Sequence, residues 1–231
     1  MNKTIFTTAI VVALTVSTPI LASDDNAVAV VRASSDLIYR GQDVTGSQGT
    51  IGLGLSFSDV VLDGVFVSAD MDTVEVTPAN DNTSIRSDIR VGYQGNLANF
   101  EYSAELARVL NPVTYTSDYT EVRLKTNYSI AYAELAHGIS NNINRDTYFS
   151  LGVEGRPLSS NQNLLVGASA SVVNYDTATF GQSNVEFNNA QVYATYDVWR
   201  ELDVTAGFSY GGGTPSYDLG NHAWVGASYS F

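Results

Sequence analysis

The last stretch of the chain, from Asn221 to Phe231, alternates strictly. Ala223, Val225, Ala227, Tyr229 and Phe231 fall on one face, and His222, Trp224, Gly226, Ser228 and Ser230 on the other. A period of two marks a β-strand with one apolar side. The same rhythm recurs along the chain, at about 27–38, 50–57, 60–69, 84–94, 99–108, 118–128, 130–137, 146–154, 163–173, 187–198, 202–210 and 221–231. That makes about twelve strands. No segment after the first twenty or so residues approaches the ~18 apolar residues of a membrane helix. Any insertion into lipid must therefore use strands, and strands in lipid must close into a barrel so that no edge is left unpaired. A terminal strand ending on Phe231 fits such a closure, and the competing reading is the last strand of a soluble sandwich.

The connections separate the two readings. Those after the even-numbered segments are mostly short: Ser58-Asp59, Gly95 to Ala98, Ser129, Gly155 to Gln162, and Trp199 to Glu201. The others are longer and rich in Gly, Asn, Asp, Thr and Pro, as in Asp70 to Thr83, Asn174 to Glu186 and Gly211 to Gly220. Short turns at one end and long loops at the other are the signature of an outer-membrane barrel. A sandwich does not predict that asymmetry. The expected fold is all-β, a single antiparallel transmembrane β-barrel with short periplasmic turns and longer extracellular loops.

The amino terminus has the layout of a secretory signal. Lys3 supplies a basic start, an apolar run extends from Ile5 to Leu21, and Ala22 precedes Ser23-Asp24-Asp25. The expected organisation is a cleaved signal peptide over 1–22 and one outer-membrane barrel over 23–231. The chain has no cysteine, so disulfide frameworks, thiolate metal sites and lipid attachment through Cys are excluded. Its net charge is −13, and loss of Lys3 makes the mature chain one unit more acidic. Nucleic acid, which needs clustered Lys and Arg, is not an expected partner.

Two resemblances sharpen this. Gly226, Tyr229 and Phe231 resemble the C-terminal assembly signal of bacterial outer-membrane barrels, although Trp224 stands where that pattern usually has a polar residue. This implies outer-membrane lipid and the barrel-assembly machinery as partners, in a Gram-negative bacterium. Ser34-Ser35-Asp36-Leu37-Ile38-Tyr39-Arg40-Gly41, followed by Gly52-Leu53-Gly54-Leu55-Ser56-Phe57, resembles the opening of the TorF family of putative porins. Residues between Gln42 and Gln48 depart from that family's pattern. The resemblance implies a porin-like barrel and names no solute. On structural grounds, Arg40 would fix the first loop and Gly41 would supply a turn with positive φ.

The presumed lumen carries the ionisable residues. Inward positions hold Arg32, Arg86, Arg90, Arg123 and Lys125 against Asp36, Asp88, Glu101, Glu105, Glu121, Glu134, Glu154, Asp197 and Asp203. Counting back from the turns places Glu105 opposite Asp88, Glu101 opposite Lys125 and Arg123 opposite Glu134. These fourteen residues are the candidate pore lining. The expected role is passive diffusion of small hydrophilic solutes or ions, with a modest cation preference. The alternative is a closed, salt-bridged structural or surface-interaction barrel. Strand number does not choose, since eight strands are just filled and sixteen leave a channel.

No enzyme, cofactor or metal site is expected. His137 and His222 sit in unrelated strands with no Ser spaced as a partner, and two isolated His make a poor zinc site. Asp70, Asp72, Glu75 and Asp81 lack calcium-loop spacing and read as a solvated loop. Gly211 to Gly213 has no helix or Lys to make a phosphate loop. Gly52 and Gly54 read as strand glycines at a bend or a thin contact.

If the final strand closes the barrel, deleting Tyr229 to Phe231 should abolish folding into the membrane. The check is gel migration: unboiled wild type should run apart from boiled protein, and the truncated chain should not.

Overall fold

The computed structural model describes residues 26–39, 42–43, 49–77, 82–110, 118–140, 146–158, 162–176, 185–211 and 221–231. The proposed signal segment lies outside them. All regular structure among the described residues is β: β1 (Ala27–Ser34), β2 (Ile38–Tyr39), β3 (Gln42–Asp43), β4 (Thr50–Phe57), β5 (Val65–Thr77), β6 (Asn82–Leu97), β7 (Phe100–Leu110), β8 (Tyr119–Tyr128), β9 (Ala131–Gly138), β10 (Thr147–Gly155), β11 (Leu164–Asn174), β12 (Val185–Asp197), β13 (Leu202–Gly211) and β14 (Asn221–Ser230). Twelve of these form one closed antiparallel barrel in chain order, sealed by β1 against β14; β2 and β3 make a small separate hairpin in the first loop. The seal runs from Val30↔Ser230 to Ser34↔Gly226. The Phe231 amide extends it, donating to the Ala29 carbonyl at 2.8 Å.

The period of two sorts the side chains as the alternation requires. Leu53, Val67, Ile89, Val91, Leu106, Leu124, Leu151, Val192, Val204, Phe208 and Val225 point outward and are exposed. A belt of that size is not tolerated against water and defines a lipid face. Aromatic rings gather at its borders. Phe100 and Tyr128 (centroids 4.7 Å apart) and Tyr93 and Tyr102 (6.2 Å) lie at the short-turn end. Phe187 and Tyr210 (6.2 Å) lie at the other. Amphipathic rings favour these border depths.

The tightest turns are two residues long, with Leu97 paired to Phe100 and Tyr128 to Ala131. Their first residues, Ala98 and Ser129, are left-handed at φ 55°. Two-residue hairpins need that hand to match strand twist. The turn after β4 is longer than Ser58-Asp59: it runs through Asp59 (φ 53°), whose Oδ1 accepts from the Gly64 amide at 2.6 Å.

Three expectations change. Segment 27–38 stops at Ser34, so Asp36 sits in the first loop instead of on the wall; Ser35 Oγ donates to its carboxylate at 2.8 Å. Segment 60–69 becomes β5 over Val65–Thr77, and β6 begins at Asn82. Most of the presumed loop from Asp70 to Thr83 is thus strand. Asp70 and Asp72 keep phase with inward Ser68, and an inward carboxylate needs only a cation across the lumen wall. Polar composition had been read as loop where it marks an inner face. The β6 strand is accordingly the longest in the barrel, with 16 residues; β5 and β12 have 13, against 8 in β1, β4 and β9.

Facing is directly testable on β13. Val204 points to lipid, while Thr205 points inward and its hydroxyl meets that of Thr195 at 2.9 Å. Arg near a bilayer midplane costs roughly 2–4 kcal/mol in such barrels. Val204→Arg should therefore reduce the folded, heat-modifiable fraction much more than Thr205→Arg. The reverse order would mean that the faces are exchanged.

Candidate functional site

The inner surface has two unlike halves. From β1 to β8 it is a connected chain of ion pairs. Arg32 on β1 reaches across β4 to Asp70 (2.7 Å) and Asp72 (3.3 Å) on β5. It can do so because Gly52 and Gly54 on β4 leave the space that these side chains fill; a Cβ at either glycine would meet Asp72 or Asp70. Arg90 on β6 bonds Asp70 and lies 3.8 Å from Asp88. Arg123 on β8 closes the series. Its Nη2 meets Asp88 at 2.6 Å, its Nη1 meets Glu105 at 3.5 Å, and its Nε meets Glu121 at 2.5 Å. Lys125 Nζ adds a contact to Glu105 at 3.4 Å.

These charges are deeply placed. Arg123, Glu105 and Glu121 are each no more than 5% exposed, and small apolar side chains (Ala107, Val109 and Ala136) pack beside them. Charges withdrawn from water in this way are tolerated only when paired. A guanidinium with a carboxylate on each of its three nitrogens meets that condition.

From β9 to β14 the wall carries hydroxyls, amides, glycines and aromatic rings, with carboxylates at Glu134, Glu154, Asp197 and Asp203 set apart from the ion-pair chain. Tyr132 on β9 lies over Gly152 on β10, Tyr193 on β12 over Gly167 on β11, and Trp224 on β14 over Gly207 on β13. Each ring fills the slot left by a missing side chain on its cross-strand partner. The Tyr193 hydroxyl also donates to Glu154. One row along, Tyr132, Gly152, Ser169, Gln191, Ser209 and His222 follow one another across six strands. At the short-turn mouth a polar cavity of about 690 Å³ opens between Asp59, Asp63, Gln94, Glu101, Lys125 and Asn127. Arg156 and Asp197, 2.9 Å apart, stand at the same end.

Thirteen of the fourteen residues proposed from the sequence stand on the inner face; Asp36 does not. Their partners differ from those counted. Glu105 faces Gly92 across β6 and Arg123 across β8, Glu101 faces Asn127, and Glu134 faces Lys125. Each turn is tighter or displaced, so registers slip by even steps that keep every face while changing every partner. Asp70 and Asp72 are the acidic residues that the sequence reading missed, and their two-residue spacing after Ser68 was the available signal. Glu75, Asp81, Arg40 and Gly41 lie outside the residues whose side chains are described. Among the described residues, no three His, Asp or Glu gather as a metal site. His137 bonds Thr147 at 2.9 Å. His222 pairs across the sheet with Ser209.

No protein-family model matches the sequence, and no curated protein does. Solved structures do resemble the fold. The KdgM porin aligns with a TM-score of 0.58 at 9% identity, covering 89% of this chain and 99% of that one. A KdgM porin in complex with disordered oligogalacturonate gives 0.56 at 8%, covering 89% and 99%. The NanC porin gives 0.58 at 8%, covering 87% and 98%. At such identities the likeness is one of architecture: a twelve-stranded porin-type barrel.

The ion-pair chain makes a stability prediction. Removing one partner of a buried pair costs roughly 3–5 kcal/mol, whereas partly exposed pairs are worth about 0–1 kcal/mol. Arg123→Ala should lower the denaturant midpoint of the folded barrel strongly, and Lys125→Ala only slightly. Equal midpoints for the two variants would show that Arg123 is not buried among carboxylates.

Proposed function

We propose that this protein is an outer-membrane, porin-like channel that passes small hydrophilic solutes or ions by passive diffusion, without catalysis. One observation carries the reading: a closed twelve-strand barrel places its ionisable residues inside and its apolar belt outside. Burying so many charges in a merely structural barrel would gain little stability over an apolar filling. A wet lumen gives the less buried of these charges, Glu101, Lys125, Glu134 and Glu154, water and solute to face. The fold shared with KdgM and NanC porins supports this reading, and the first-hairpin likeness to the TorF family agrees with it. The amino-terminal 22 residues act as a removed signal, the barrel-assembly machinery inserts the chain through its Gly226, Tyr229 and Phe231 ending, and the long loops face outward.

The proposed lining is Arg32, Arg86, Arg90, Glu101, Glu105, Glu121, Arg123, Lys125, Asp88, Glu134, Glu154, Asp197 and Asp203, joined by Asp70 and Asp72. Carboxylates outnumber cations, and among the described residues Glu134 and Glu154 have no cation within salt-bridge distance. A cleft lined by one sign concentrates its counter-ions, so the channel prefers small cations modestly. The preference fades with salt, as screening shortens to ~3 Å at 1 M.

The measurement is planar-bilayer conductance with reversal potentials under a dilute salt gradient. Wild type should conduct and favour cations. Glu134→Gln with Glu154→Gln removes two charges outside the ion-pair chain and should move selectivity toward anions. An anion-selective wild type would put the constriction among the arginines. Silence from folded protein would favour the closed barrel.

A further inference from the structure

The wall from β9 to β14, which lacks the ion-pair chain of the other half, holds a cluster of unpartnered polar groups. Ser209 Oγ, His222 Nε2 and Trp224 Nε1 are all buried, and none has a hydrogen-bond partner among the described residues. They sit together on β13 and β14: Ser209 pairs across the sheet with His222, and Trp224 follows two residues along the same inner face. Buried polar atoms in folded proteins nearly always have a partner, and a cluster without one marks the place of a water or a ligand. Beside the cluster lie the Trp224 and Tyr193 rings, held along the wall over Gly207 and Gly167. Gln191 stands in the same row as Ser209 and His222.

We propose that this patch, formed by Gln191, Tyr193, Ser209, His222 and Trp224, is a binding subsite for uncharged, hydroxyl-rich solutes, that is, neutral sugars. A pyranose has an apolar C–H face and a rim of hydroxyls that both donate and accept. The face stacks on an aromatic ring, and the rim serves a hydroxyl, an imidazole and an indole N–H whose individual needs differ. A carboxylated sugar has no counterpart here. Apart from the patch's own His222, the ionisable group bonded to it is the Glu154 carboxylate, through Tyr193, and the guanidinium groups of Arg32, Arg90 and Arg123 are committed to carboxylates on β5 and β6. Negative solute charge is thus disfavoured at the subsite while hydroxyls are satisfied. A KdgM porin of the same architecture is solved in complex with oligogalacturonate, an acidic sugar.

The subsite gives the proposed channel its solute class and so rests on that reading, but it can be tested apart from it. The chain has two tryptophans, Trp199 at a short turn and Trp224 in the patch. In a Trp199→Phe background, emission reports Trp224 alone. Titrating folded barrel in detergent with maltotriose should give a saturable change in that emission, and trigalacturonate should give none. His222→Ala should weaken the maltotriose response roughly tenfold, as loss of one hydrogen bond to a buried group does. Bilayer recordings on the same protein should show maltotriose interrupting the current. If the protein conducts but Trp224 does not respond to maltotriose, the subsite is wrong and the channel stands. If trigalacturonate responds equally, the selection for neutral solutes is wrong. If Trp224 responds while no current flows, the subsite stands and passage through the barrel does not. Because the main result is read in the Trp199→Phe protein, which changes an exposed residue outside the patch, a His222→Ala variant that fails to fold leaves the test intact.

Discussion

Every other property of this molecule depends on the ladder between β1 and β14. Without it, two strand edges would present unpaired amides and carbonyls to lipid, where each costs several kcal/mol. Once the ladder forms, the sheet has an inside and an outside, and the period of two assigns every strand residue to one of them. Ala29, Val30 and Val31 thus do as much for the fold as the more eye-catching carboxylates, because they meet Phe231, Ser230 and Tyr229.

Closure also explains how charges can be so dense in a chain with a lipid-facing belt. The inner surface sorts them by neighbour. Arg123 satisfies carboxylates from β6, β7 and β8 at once, and the paired glycines of β4 let Arg32 reach β5. The remaining half uses glycine differently, as a recess for a ring from the next strand, a known way of stabilising glycine within a sheet. One wall is therefore held by Coulomb attraction in low dielectric, and the other by contact between rings and backbone.

Strand number, facing and closure were legible in the residues because each rests on parity or on composition; the contrast between turns and loops was legible in part, since most of Asp70 to Thr83 is strand. Register was not. Parity is unchanged by a slip of two or four residues, and only the turn geometry at Ala98 and Ser129 fixes the pairing. Hence Arg123 could be placed inside but not set against Glu105. The same gap hid the ring-over-glycine pairs, since Gly152, Gly167 and Gly207 mean little until Tyr132, Tyr193 and Trp224 are known to lie beside them. Asp70 and Asp72 were lost for another reason: carboxylates in sequence look like solvent exposure, and their cations lie on β1 and β6, far along the chain.

The uneven strand heights have a consequence for the surrounding membrane. At ~3.4 Å per residue and a tilt of about 40°, the eight residues of β9 rise ~20 Å, whereas the sixteen of β6 rise ~40 Å. A belt of ~25 Å suits neither side. Lipids beside β9 and β10 must thin to meet the short strands, and those beside β5 and β6 are overtopped. Hydrophobic mismatch of this kind costs a fraction of a kcal/mol per Å. Because short β1 and β4 stand directly beside tall β5 and β6, and 13-residue β12 rises on the other side, thinned and overtopped lipids alternate around the barrel, and the bilayer meets it as an uneven collar with no single thin side.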